Sequence, residues 1–222
     1  MESGASSSGG DQYPVQFSVE YPDRDLDRLS TAFRIIVAIP ILVVLGAVGG
    51  GWGGWGGGSW DGGGNGEMVA AGAGGILFFP ALLMILFRQK YPRWWYDWNL
   101  ELLRFENRVA VYLGLLDDHY PSTDERQSVS LEFPYPDAKQ GLNRFLPVVK
   151  WLLAIPHYIV LVFLGLAAIV CVIIAWFAIL FTGRYPRGLF DFVVGVMRWG
   201  NRVVGYAFIL VTDQYPPFRL NP

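Results

Sequence analysis

QKYPRWWYDWN, residues 89–99, and GRYPRGLFDFV, residues 183–193, decide how this chain is read. Both spell Tyr-Pro-Arg, three further residues and Asp, 94 positions apart. The likeness continues outward. FRIIVAIP, ending at Pro40, matches VKWLLAIP, ending at Pro156, and VEYPD, ending at Asp23, matches PYPD, ending at Asp137. LRFENRVAVYLGLLDDHYP, from Leu103, matches MRWGNRVVGYAFILVTDQYP, from Met197, with one residue of slippage. Correspondence on this scale predicts a tandem duplication. Each half reads as a short extended segment, a basic turn, two apolar spans, a Tyr-Pro-Arg corner, an amphipathic helix and Asp-x-Tyr-Pro.

Composition supplies the environment. Of 222 residues, 53% are hydrophobic and 16% aromatic, too apolar for an ordinary soluble domain. A net charge of −2 excludes nucleic acid as an electrostatic partner. The expected class is an all-α integral membrane protein with four transmembrane helices in two parallel repeats. The first repeat covers 13–121, after a disordered tail at 1–12. Its spans fall near 33–48 and 68–87, its outer loop at 49–67 and its interfacial helix near 93–116. The second covers 122–222, with spans near 145–164 and 167–181, a tight turn near Gly165 and an interfacial helix near 187–211. Two spans per half keep both halves in one orientation, which predicts a pseudo-two-fold axis along the membrane normal. PVQFSVEYP and SVSLEFPYP alternate as strands do and are expected to pair.

All 17 Lys and Arg lie outside the connections joining first to second and third to fourth span, so both termini are expected on the cytoplasmic face of the inner membrane. Tyr-Pro ends a span at the water boundary, because Pro cannot continue a helix and Tyr favours the interface. Arg93 and Arg187 then face phosphates or water. Behind each corner runs a polar stripe: Asp97, Glu101, Arg104 and Arg108 in one half, Asp191, Arg198 and Arg202 in the other, with Asn107 and Asn201 beside them. Two such stripes turned inward would build an Arg/Asp cluster on the axis, and arginine's planar fork suits carboxylate or phosphate there. Arg34 and Lys150 sit one turn inside their spans and are expected to snorkel to phosphate.

The halves differ chiefly by about 22 extra residues in the first, GGGWGGWGGGSWDGGGNGE. No Gly-Lys-Ser/Thr follows, so a phosphate-cradling loop is not indicated. Trp52, Trp55 and Trp60 are candidates to enter the outer headgroup layer or a partner protein. The two histidines and single cysteine make no zinc pattern, and no nucleophile motif occurs, so no cofactor, metal or catalytic residue is expected. His157 reads as a satisfied neutral histidine in the third span.

The set A-I-P, Y-P-R, N-R-V-x-x-Y and D-x-Y-P resembles a bacterial membrane family known as a domain of unknown function, DUF-4389. The resemblance implies architecture and brings no activity. The functional expectation is a non-catalytic accessory or scaffolding subunit of a larger membrane complex, contacting lipids and other membrane subunits. The alternative is a transporter of lipid or small solutes working at the interface between the repeats.

Overall fold

The computed structural model describes residues 13–49, 82–122, 125, 127–138 and 141–222. Strand β1 spans Gln16–Val19 and helix α1 Arg28–Gly49. A helical stretch at 82–88 precedes the first corner. Helix α2 covers Arg93–Leu113, strand β2 Val129–Glu132, α3 Leu146–Leu153, α4 Ile155–Thr182 and α5 Arg187–Val204, which runs into a π-helical turn at Gly205–Ile209. The Asp27 carboxylate accepts from the Leu29 N–H at 3.0 Å and so caps α1. Pro92 and Pro186 hold extended backbone just ahead of α2 and α5, as a residue with fixed φ and no N–H does at a helix entry.

The corners have matched backbones as well as matched sequences. Among the described residues, positive φ occurs at Gln89 and Gly183, and at Leu115 and Leu210. Each is a pair of equivalent positions in the two halves. Gly183 caps α4 in the left-handed conformation, its N–H donating to the Ile179 carbonyl at 2.7 Å.

β1 and β2 pair antiparallel, with Phe17 opposite Leu131 and Ser18 opposite Ser130. Phe17 and Leu131 each lie four residues before the Tyr of a Tyr-Pro-Asp, so the two matched segments pair about these two residues. Each strand packs on the other half's helix, β1 on α5 and β2 on α2. The main core gathers Val15, Phe17, Leu131 and Phe133 with Trp95 and Leu103 from α2 and Phe190, Val193 and Val194 from α5.

Two expectations are corrected here. The hairpin at Gly165 is absent: α4 is one helix from Ile155 to Thr182, with Gly165 inside it. At ~1.5 Å per residue its 28 residues run about 42 Å, more than a bilayer core of about 30 Å. The break falls earlier, at Ala154, where Pro156 denies α3 a hydrogen bond and crowds the preceding turn. Basic residues therefore flank both ends of α3–α4, Arg144 and Arg184, and their distribution no longer says which way this segment is oriented. Second, α5 does not leave α4 sideways. Trp199, Val203, Tyr206 and Ala207 cluster with Ala154 at the beginning of α4, so α5 and its π-helical turn double back along it.

Among the described residues, two helical stretches, Arg28–Gly46 and Leu146–Thr182, are long and apolar enough to cross a membrane. A core helix of a soluble protein would be mostly covered. Here only 6% of the most apolar part of Leu146–Thr182 is buried, and Ile159, Val162, Phe163, Ile173 and Phe177 stand exposed. Such a surface calls for lipid or another apolar partner. The expected span at 68–87 lies mostly outside the described residues, as do Trp52, Trp55, Trp60 and their loop.

Candidate functional site

The two polar stripes meet, though through other residues than their charges. Asn107 and Asn201 are buried where α2 and α5 cross. Asn107 donates to the Asn201 Oδ1 at 2.8 Å and Asn201 returns the bond at 2.7 Å. The second hydrogen of each amide goes to its own helix, to the Leu103 carbonyl at 2.8 Å and the Met197 carbonyl at 2.9 Å. Four bonds thus satisfy two amides in an otherwise apolar crossing. Asp97 and Asp191 remain exposed on the far faces, so the Arg/Asp cluster expected on the axis does not form.

The four stripe arginines bind the chain's own backbone. Arg104 donates through Nε to the Leu131 carbonyl at 3.1 Å and Arg198 to the equivalent Phe17 carbonyl at 2.9 Å, each fastening the other half's strand. Arg108 donates to the Ser122 carbonyl at 2.7 Å. Arg202 reaches the Arg219 and Asn221 carbonyls at 3.2 and 3.0 Å, and Arg198 also holds the Leu220 carbonyl at 2.8 Å. Burial, together with neighbouring Arg198 and Arg219, lowers the Arg202 pKa from its ordinary value. These side chains pin strands and the C-terminal segment, and the expected lipid-phosphate contact is not where they point.

The corner arginines also cross between halves. Arg93 lies over the Tyr135 ring at 5.2 Å and Arg187 over the equivalent Tyr21 ring at 4.9 Å. Tyr21 donates to the Tyr185 carbonyl at 2.6 Å, and Tyr135 to the Tyr91 carbonyl at 2.5 Å.

Arg34 and Lys150, expected to snorkel, are instead among the most enclosed side chains, 2% and 0% exposed. Arg34 forms an ion pair with Asp118, donates to the Tyr112 and Asp117 carbonyls and stacks over the Tyr112 ring. Lys150 pairs with Asp213 at 2.6 Å, donates to the Thr212 carbonyl at 2.7 Å and lies over the Tyr206 ring. Every partner residue in one set stands at a position whose sequence matches that of a partner in the other. A buried cation needs a carboxylate and further acceptors to offset its lost hydration, and both halves supply them from the Asp-x-Tyr-Pro segment. The sequence signal was present: a basic residue at one position and an Asp at its mate recur in both halves.

One cluster was not foreseen. Asp117 accepts from Ser128 at 2.6 Å and from the His119 ring at 2.9 Å, with Arg24 at 3.4 Å. Burial alone would raise its pKa, but the bonds from Ser128 and His119 outweigh it and hold the carboxyl below its ordinary value. The run Asp117-Asp118-His119 was its only sequence trace.

His157 is fully enclosed. Trp199 can only donate, so its N–H at 3.1 Å assigns the His157 Nδ1 as acceptor and puts the ring proton on Nε2. Phe218 stacks on the imidazole, centroids 4.0 Å apart. Among the described residues, no group of three His, Cys, Asp or Glu is arranged to hold a metal.

The described residues form a mostly helical structure with a small strand pair and two helical stretches able to cross a membrane. Residues 147–219, about a third of the chain, match the model of a family described as Domain of unknown function (DUF4389). The match lies within the second half of the chain. No curated protein and no solved structure matches.

Proposed function

We propose that this chain is a non-catalytic integral membrane protein that serves as an accessory or scaffolding subunit of a larger bilayer complex. The observation that carries the reading is the bare apolar surface of α1, α3 and α4, set against polar side chains that are largely engaged within the chain. Buried cations are consumed by internal carbonyls and carboxylates, while large aliphatic and aromatic side chains point outward. That division suits a rigid body whose outer faces meet lipid and neighbouring subunits.

On this reading the chain is a duplicated unit with a pseudo-two-fold axis through the Asn107–Asn201 pair and the Phe17–Leu131 register. The equivalent corners, cation sites and strand contacts support it. The basic residues around α1 and the first corner support an orientation with both termini on the cytoplasmic side and the connection after α1 on the opposite one. A cysteine at Ser59 then reacts with an impermeant thiol reagent applied outside intact cells, and one at Ser122 does not.

The decisive experiment is purification from membranes in mild detergent with identification of what co-migrates. A scaffold brings stoichiometric protein partners. Deleting residues 50–64, which removes Trp52, Trp55 and Trp60, releases them while the chain stays folded and inserted. Recovery of the intact chain without any stoichiometric polypeptide refutes the reading. Lipid handling is the second reading. It is favoured by a groove between α1 and α2 and not by the repeat interface, which the asparagine pair and arginine contacts fill.

A further inference from the structure

Between α1 and α2 lies a groove of about 510 Å³. Pro40, Ile41, Val44 and Phe105 form its floor and walls, with Tyr120 and Glu125 among its polar lining. Its size falls within the roughly 300–1,000 Å³ of ordinary ligand sites.

The other half contains the same place in a filled state. Pro156, His157, Val160, Trp199 and Tyr215 are the repeat equivalents of Pro40, Ile41, Val44, Phe105 and Tyr120. There the Phe218 ring, itself half exposed, lies across the space, stacked on His157 at 4.0 Å and edge-on to Trp199 at 5.5 Å. The segment that delivers it reads Tyr-Pro-Pro-Phe, whereas the first half reads Tyr-Pro-Ser-Thr. The sequence thus supplies an apolar plug to one half and none to the other.

The walls changed in step. Having Ile41 and Phe105 in place of His157 and Trp199 removes all three ring nitrogens, so the floor of the open groove is apolar and needs no hydrogen-bonding ligand. Val37 and Val44 stand half exposed on the same helix, one of the two able to cross a membrane. The groove therefore opens toward hydrocarbon, with a hydroxyl and a carboxylate at its rim.

We propose that this groove seats one acyl chain of a membrane phospholipid, in the place that Phe218 fills in the second half. A flexible methylene chain follows aliphatic walls that a rigid ring would not. Glu125 at the rim complements a cationic headgroup and opposes an anionic one, which points to an ethanolamine lipid. The proposal rests on the membrane reading above and gives that reading a specific ligand.

The test uses the full chain in vesicles of phosphatidylethanolamine and phosphatidylglycerol, doped with phosphatidylethanolamine carrying a diazirine in its acyl chain. After photolysis, adducts are mapped by mass spectrometry. Adducts at Ile41, Val44 and Phe105 should exceed those at Val162 and Phe163, exposed residues of α4, by several-fold. Val44→Phe fills the groove from an already exposed position and should remove the groove adducts while leaving those on α4. Groove adducts no more frequent than those on α4, or unchanged in Val44→Phe, overturn the site while the membrane reading stands. Absence of adducts at both places overturns both. Benzoylphenylalanine at Tyr120, where an exposed aromatic already lines the groove, provides a second readout in cells, and its capture of one discrete protein in place of lipid also overturns the proposal.

Discussion

Replacing Asn107 by Leu tests whether the crossing of α2 and α5 depends on a reciprocal amide pair. Leucine is close to asparagine in size, so the change is electronic more than steric. The Leu103 carbonyl keeps its helical bond, so nothing is orphaned on that side. Asn201, buried across the crossing, loses both the donor to its Oδ1 and the acceptor for one of its hydrogens. A buried unpaired polar group costs about 1–3 kcal/mol, so the single variant should lose about 2 kcal/mol. In a chain of this size that lowers the melting temperature by roughly 4–8 °C. Asn201→Leu should cost the same by symmetry. The double variant leaves no orphan and should lose under about 1 kcal/mol. The cycle therefore predicts a coupling of about 3 kcal/mol, at the upper end for directly paired residues. The assay is thermal unfolding of the four proteins in one detergent, followed by near-ultraviolet dichroism. Additive losses in the double variant would refute the reasoning, because they would mean that each amide is stabilised by something other than its mate.

Five further outcomes follow from the same geometry. Each strand is covered by the other half, so fragments 1–126 and 127–222 should co-purify when co-expressed and aggregate when made singly; monodisperse, fully helical single halves would contradict the exchange. A Cβ at Gly195 would lie 2.9 Å from the Leu220 Cβ, so Gly195→Ala should expose the C-terminal segment to carboxypeptidase, at about 1–3 kcal/mol. Gly200→Ala, with nothing within 4 Å, should be neutral or stabilising by up to ~1 kcal/mol through helix propensity. Asp213→Ala strands the ammonium of fully buried Lys150 and should cost about 3–5 kcal/mol, whereas Lys150→Met leaves only a partly hydrated carboxylate and should cost clearly less; equal losses in thermal unfolding would argue against the asymmetry. Gln89 holds φ at +46° where its equivalent is Gly183, so Gln89→Gly should stabilise by roughly 1 kcal/mol, and a lower melting temperature would show that the corner is not strained.

Much of this molecule is local in origin and was legible in the chain alone. Pro92 and Pro186 announce helix entries because a ring that fixes φ and lacks an N–H acts on its own neighbours. The alternation in PVQFSVEYP and SVSLEFPYP reports a half-buried strand whatever covers it. The asparagines and arginines of the stripes stood out for the same reason, since helical spacing alone puts them on one face. The matched stretches also put Arg34 at the position of Lys150 and Asp118 at that of Asp213, so a recurring cation and carboxylate could be read from the chain.

What the chain alone left open depends on contacts between residues far apart in sequence. Gly165 looked like a turn, yet a glycine inside a helix costs only about 1 kcal/mol, and an apolar neighbourhood overrides that. The continuity of α4 was therefore not legible at Gly165, and it is the tertiary structure that shows α5 doubling back beside one unbroken helix. The arginines carried no sign of their targets, because a guanidinium binds carbonyl, carboxylate or phosphate with similar geometry, and only the fold brings the Phe17 and Leu131 carbonyls within reach. Which half covers which strand was equally undetermined. Equivalent surfaces offer each strand two equivalent beds, and the exchange is selected by the chain's path between them, a property that exists only once the tertiary structure has formed.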